Sequence, residues 1–133
     1  MIVLDEQLLG YGLADEIAQW YTGTVTDITT LRPGTLIPDD AIPELLRTAR
    51  KPTFLTINVG DFWRRLAPDE HFCVLCFALS DRRVSEIPSL LRRVLATRPF
   101  RTRQRRLGKI ARIGPKSLRF YTTTSWAVQT LEF

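Results

Sequence analysis

The apolar positions of this chain fall into two kinds of stretch. Short unbroken runs at residues 2–4, 53–57 and 72–79 read as strands buried on both faces. Between them the apolar residues recur at helical spacing. Leu9, Leu13, Ile17 and Trp20 share one face opposite Asp15, Glu16 and Gln19, which predicts a helix over about residues 13–21, since Gly10 and Gly12 weaken the turns before it. Gly23-Thr-Val-Thr-Asp-Ile28 is β-branched and predicts another strand, and residues 30–38, with two prolines and a glycine, predict a loop. Asp39 or Asp40 is placed to cap a helix running to about residue 50, with Pro43 in its first turn. A short helical turn is expected over 61–66. The cleanest helix spans 85–97, with Ser85 as cap and Ile87, Leu90, Leu91, Val94 and Leu95 on one face.

This alternation predicts an α/β fold, a mostly parallel sheet of about four strands flanked by helices on both faces. The alternation stops after residue 98. Residues 110–113 and 118–124 flank a Gly114-Pro115 turn, so a β-hairpin appended to the parallel sheet is expected. The expected division is therefore an α/β domain over 1–98 and a basic C-terminal extension over 99–133 packed on it. A length of 133 residues and 44% apolar content fit one such domain with one core.

Charge sharpens this picture. The net charge is +5, but the residues up to Glu86 hold 13 acids and 8 bases, whereas those from Ile87 onward hold 11 bases and one acid. Such asymmetry points to a polyanion-binding surface in the last third, with Arg101, Arg103, Arg105, Arg106 and Lys109 as its expected contacts. No apolar run approaches the roughly 20 residues a membrane span needs. The acidic start lacks the basic, then long apolar, pattern of a leader, so a cytoplasmic protein without a membrane partner is expected. Cys73 and Cys76 are spaced C-x-x-C, yet they interrupt a hydrophobic strand and only His71 is at hand as a further ligand. They read as buried strand cysteines rather than a zinc or redox pair.

The candidate chemistry lies in the carboxylates. The first strand ends in Asp5-Glu6, and the 53–57 strand ends in Asn58 followed by Asp61. Ligand sites of parallel sheets form at the carboxyl ends of strands, and oxygen-rich clusters there suit a hard cation such as Mg²⁺.

The order Ile2-Val-Leu-Asp-Glu6, then Pro38-Asp-Asp-Ala-Ile42, then Phe54-Leu-Thr-Ile-Asn-Val-Gly-Asp-Phe62 resembles the short single-domain PIN-like family, relatives of the VapC toxin ribonucleases. The resemblance covers about residues 1–96. It implies Mg²⁺ or Mn²⁺ bound by Asp5, by Asp39 or Asp40, and by Asp61, with Glu6 as a further ligand or an orienting group, for cleavage of RNA. Asn58 stands where the family's third motif carries an acid, and one residue more separates it from Asp61. It is therefore read as supporting the ligands from behind. Three readings follow: a ribonuclease acting as the toxin of a toxin–antitoxin pair, a non-catalytic PIN-like protein binding nucleic acid through its basic third, or a homodimeric interaction module.

Overall fold

Three of the apolar runs become neighbouring central strands. In the computed structural model, which describes residues 1–133, β1 (Ile2–Leu4) is followed by α1 (Leu13–Ala18), β2 (Val25–Asp27), α2 (Ile42–Thr48), β3 (Thr53–Thr56) and α3 (Val59–Phe62). Then come β4 (Cys73–Phe77), α4 (Ile87–Ala96), α5 (Arg103–Arg106), β5 (Lys109–Ile113), β6 (Ser117–Thr122) and β7 (Gln129–Glu132). They form one sheet in the order β2-β1-β3-β4-β5-β6-β7.

The sheet is not the expected one of about four parallel strands. It has seven, the first five parallel and the last two antiparallel. Two physical reasons account for the difference. The expected hairpin forms, β5 pairing antiparallel with β6, but its first arm is built into the sheet: Ile110 and Ala111 are buried beside β4 and pair with it in parallel, which makes β5 a further parallel strand. The strand β7 is a largely exposed edge, Gln-Thr-Leu-Glu, and so carries too little apolar alternation to be legible. Residues 99–133 thus complete the sheet rather than decorate it.

Alternation along the strands builds a core on each face. One face buries Ile2, Leu4, Leu55, Leu75, Phe77 and Ile113 against α1 and α4, which contribute Leu13, Ile17, Ile87, Leu91 and Val94. The other buries Val3, Phe54, Val74, Ile110 and Tyr121 against Ile42, Leu46 and Phe62 of α2 and α3. Each fully buried side chain of this size contributes about 1.5–3 kcal/mol. No helix is long and apolar enough to cross a membrane.

The helix starts differ in detail from expectation. Neither Asp39 nor Asp40 makes a capping hydrogen bond; both lie in a single 3-10 turn ahead of α2. Ser85 likewise sits inside the 3-10 turn Asp81–Glu86, and α4 begins at Ile87 with Pro88 in its first turn. The turn after β3 starts at Val59 and is capped by Asn58, whose side chain accepts from the Asp61 amide. Between α5 and β5, Gly108 adopts φ +84°, and a Cβ there would meet Thr123 Oγ1 at 3.2 Å, so only glycine turns the chain into β5 without strain.

Tyr121 fastens the C-terminal strands to the loop after α3. Its hydroxyl accepts from the Arg64 amide at 3.2 Å and donates to the Leu66 carbonyl at 2.8 Å. Tyr121→Phe keeps the ring's packing but strands both backbone groups, so it should lower stability by about 1–3 kcal/mol. Urea unfolding read by tryptophan fluorescence checks this, and an unchanged midpoint would show that the loop is held by other contacts.

Candidate functional site

The strand β1 has β2 on one side and β3 on the other. From the end of β1 the chain passes into α1 on one face of the sheet, and from the end of β3 into α3 on the opposite face. Diverging connections of this kind open a crevice at the carboxyl ends of two neighbouring strands, the usual ligand position in an open parallel sheet. Asp5 is the first residue past β1 and Asn58 the second past β3.

Asp5 is only 4% exposed. Its amide donates to the Leu55 carbonyl, and Thr56 Oγ1 donates to its Oδ2 at 2.6 Å, tying β1 to β3. The same Thr56 oxygen accepts from the Asn58 amide at 3.0 Å. Asn58 Nδ2 then donates to Asp39 Oδ2 at 3.1 Å and to Asp61 Oδ2 at 2.7 Å. A continuous network therefore links Asp5, Thr56, Asn58, Asp39 and Asp61, from three separate parts of the chain.

Charge is strained in this network. Burial raises the Asp5 pKa above its usual 3.8, against the hydrogen bond from Thr56 and the amides of Glu6 and Gln7. Asp39 is also raised, first by burial and then by the neighbouring Asp61 and Asp5 carboxylates. Asp61 is held low by the hydrogen bonds from the Asn58 amide and Asp39. Asp39, Asp40 and Asp61 line an open pocket of about 560 Å³ together with Arg65 and Leu66.

The remaining expected site residues are placed elsewhere. The Glu6 side chain is exposed and takes no part in the hydrogen bonding. Asp40 lines the pocket without contacting the network. Arg101, Arg103, Arg105, Arg106 and Lys109 all lie near the opposite, amino-terminal end of the parallel strands, where Arg106 bonds Thr53, the first residue of β3. Strands of three to five residues at about 3.3 Å each separate the two ends by roughly 10–17 Å. Arg106 is moreover buried, and Lys109 Nζ is engaged by the Arg105 carbonyl. These five do not flank the carboxylates.

Other cations do. Register places Thr56 beside Cys76, Cys76 beside Arg112 and Arg112 beside Arg119, so a row on one face of the sheet runs from Asp5 to two arginines. Arg119 lies over the Trp63 ring, Arg64 over Tyr121, and Trp126, 57% exposed, stacks on Tyr121. Strand pairing brings these residues together. In the sequence the two arginines stand only as Arg112 within Ile110-Ala-Arg-Ile113 and as Arg119 before Phe120-Tyr121, which does not tell one end of the sheet from the other.

The C-x-x-C pair is structural. Cys73 faces one core and Cys76 the other, as an odd separation on a strand requires, and burial pushes both thiols up to about 12. No protein-family model matches the chain, and no curated protein or solved structure matches it significantly.

The raised Asp5 pKa sets a pH dependence. Below 3.8 both folded and unfolded chains carry the proton, while above it the folded chain keeps the proton longer. Stability from this group is thus present at low pH and lost as pH rises through the folded value. Asp5→Asn, which cannot ionise, should raise the thermal midpoint at pH 7 in chelator, with the gain shrinking toward pH 3.5. A variant less stable than the parent at pH 7 would show that the carboxylate's hydrogen bonds outweigh its desolvation.

Proposed function

We propose that this protein cleaves RNA phosphodiesters in a divalent-cation-dependent reaction at the Asp5, Asp39 and Asp61 cluster. The observation that carries the reading is the convergence of these acids, from three parts of the chain, on the crevice between β1 and β3. The resemblance to VapC-like ribonucleases supports it through motif order alone, since the seven-stranded sheet is not the four-stranded one that was expected.

The donor set suits the ion. It consists of carboxylate oxygens, and Asp39 is pushed toward protonation by like charges that a cation would offset. No group of three or more acids, histidines or cysteines forms a ready metal cage. Mg²⁺ and Mn²⁺ need none, because Mg²⁺ commonly binds through one or two carboxylates and keeps water and substrate phosphate as its other ligands. Asp39 and Asp61 would hold the ion with Asp5 beside them. When bound, it supplies charge stabilisation at the phosphate and a water of lowered pKa.

The chain's own groups do the rest. Thr56 fixes the Asp5 carboxylate, and Asn58 aligns Asp39 with Asp61 by donating to both. Arg65, in the lining of the same pocket, would supply a positive charge to a phosphate seated there. Arg112 and Arg119 continue the positive surface along the sheet, and Trp126 on Tyr121 offers a face for a base. A second reading has its own observation: the Asn58 amide bridges the two carboxylates as a cation would, which favours nucleic-acid binding without cleavage.

Purified protein incubated with a labelled single-stranded RNA separates the two. Under the first reading Asp61→Asn should lower the Mn²⁺-dependent cleavage rate by about 100-fold or more, with circular dichroism unchanged. Asn58→Asp should raise it by strengthening the ion's site. Binding without cleavage in the parent and in Asn58→Asp would establish the second reading. In either case Arg119→Gln should weaken RNA affinity and lower the salt slope by about one. Toxicity on expression, relieved by a partner protein, is the separate readout for a toxin.

A further inference from the structure

At the opposite end of the sheet, a pocket of about 270 Å³ opens between the loop joining α1 to β2 and the α5 segment. Tyr21 and Gly23 form one wall; Arg101, Arg103 and Arg106 form the other, and no acid lines it. Arg106 is 2% exposed. Its Nε donates to Thr53 Oγ1 at 3.0 Å, Nη1 to the Phe100 carbonyl at 3.0 Å, and Nη2 to the Tyr21 hydroxyl at 3.1 Å.

All three acceptors are neutral. The ion pairs of the chain are Arg47 with Asp69, His71 with Asp69, and Arg83 with Glu86, so the buried Arg106 has no counter-charge. A buried ion without one is costly, and hydrogen bonds to neutral acceptors orient it but do not neutralise it. Each Arg106 terminal nitrogen also carries two hydrogens and has one acceptor, leaving two donors over. Arg101 and Arg103 place two more positive charges on the same wall.

The pocket's shape depends on a glycine. A Cβ at Gly23 would lie 2.6 Å from the Tyr21 ring, so a side chain there would push out the tyrosine that accepts from Arg106. Glycine lets the ring stand against the loop.

We infer that this pocket binds a phosphate group, with Arg106 as its buried floor and Arg101 and Arg103 closing over it. Three guanidiniums without an acid match a multiply charged oxyanion, whose oxygens take paired N–H donors. The site is separate from the carboxylate cluster, because one phosphate cannot span the length of the strands. It does not rest on the ribonuclease reading. The phosphate arrives either as the free ion or as the 5′-phosphate of a nucleic acid.

The test measures binding to the whole chain by calorimetry at constant ionic strength. Inorganic phosphate should bind saturably, and Arg101→Gln with Arg103→Gln should weaken it by about tenfold or more without change in fold, as expected for lost charge-assisted contacts. Gly23→Ala should weaken it too, while Asp61→Asn should leave it unchanged. A tetraribonucleotide with a 5′-phosphate that binds at least tenfold more tightly than free phosphate identifies a nucleic-acid end; equal affinities identify the free ion. Phosphate heats no larger than those of chloride, or phosphate affinity unaltered by the double substitution, would overturn the inference.

Discussion

The candidate site depends on one buried carboxylate held across two strands. Asp5 lies where β1 ends, inside the fold, and burial works against its charge. The Thr56 hydroxyl makes the position tolerable, and because Thr56 belongs to the neighbouring strand the same bond fixes β1 against β3 at their carboxyl ends. Asn58 follows two residues later, its amide bonded back to Thr56, and its side chain collects Asp39 and Asp61. The strand pairing brings Asp5 to Thr56, while the Asn58 bonds to Thr56 and Asp61 lie within one segment of the chain. A group buried at a cost to stability, in a crevice, is the kind of arrangement that functional sites maintain.

The chain separates its charges by using both ends of the sheet. Carboxylates gather where the parallel strands finish, and α5 brings its arginines to where they start. The α5 arginines are thereby kept apart from the acids, and Arg106 is left without a counter-charge. Arg106 shows how far this goes: it supports the fold by bonding Thr53, Phe100 and Tyr21, yet brings a full charge into the interior. A single count of basic residues in the last third merges two populations that the fold divides, those around α5 and those on β5 and β6.

The antiparallel strands serve the parallel part. Tyr121 on β6 reaches across the face of the sheet to bond the loop after α3, and Trp63 and Trp126 pack on its ring. They add to the packing by which Val59, Phe62 and Leu66 hold the four-residue Asp61 turn on the sheet. Their arginines, Arg112 and Arg119, extend the row that begins at Asp5.

The sequence alone determined the strands that are buried on both faces, the amphipathic α4 and the positions of the acids at element ends, because these depend on local period and local propensity. It also placed Cys73 and Cys76 on a strand, where their spacing sends them to opposite cores. The number of strands was not legible: β7 is exposed and has no period to read, and β5 joins β4 only through pairing remote in sequence. Asp39 reads equally well as a helix cap, and only tertiary contact with Asn58 shows its carboxylate turned to the site instead. That the α5 arginines stand at the far end of the sheet from the acids was decided by the tertiary fold, since a one-dimensional chain carries no record of which end of a sheet a loop will reach.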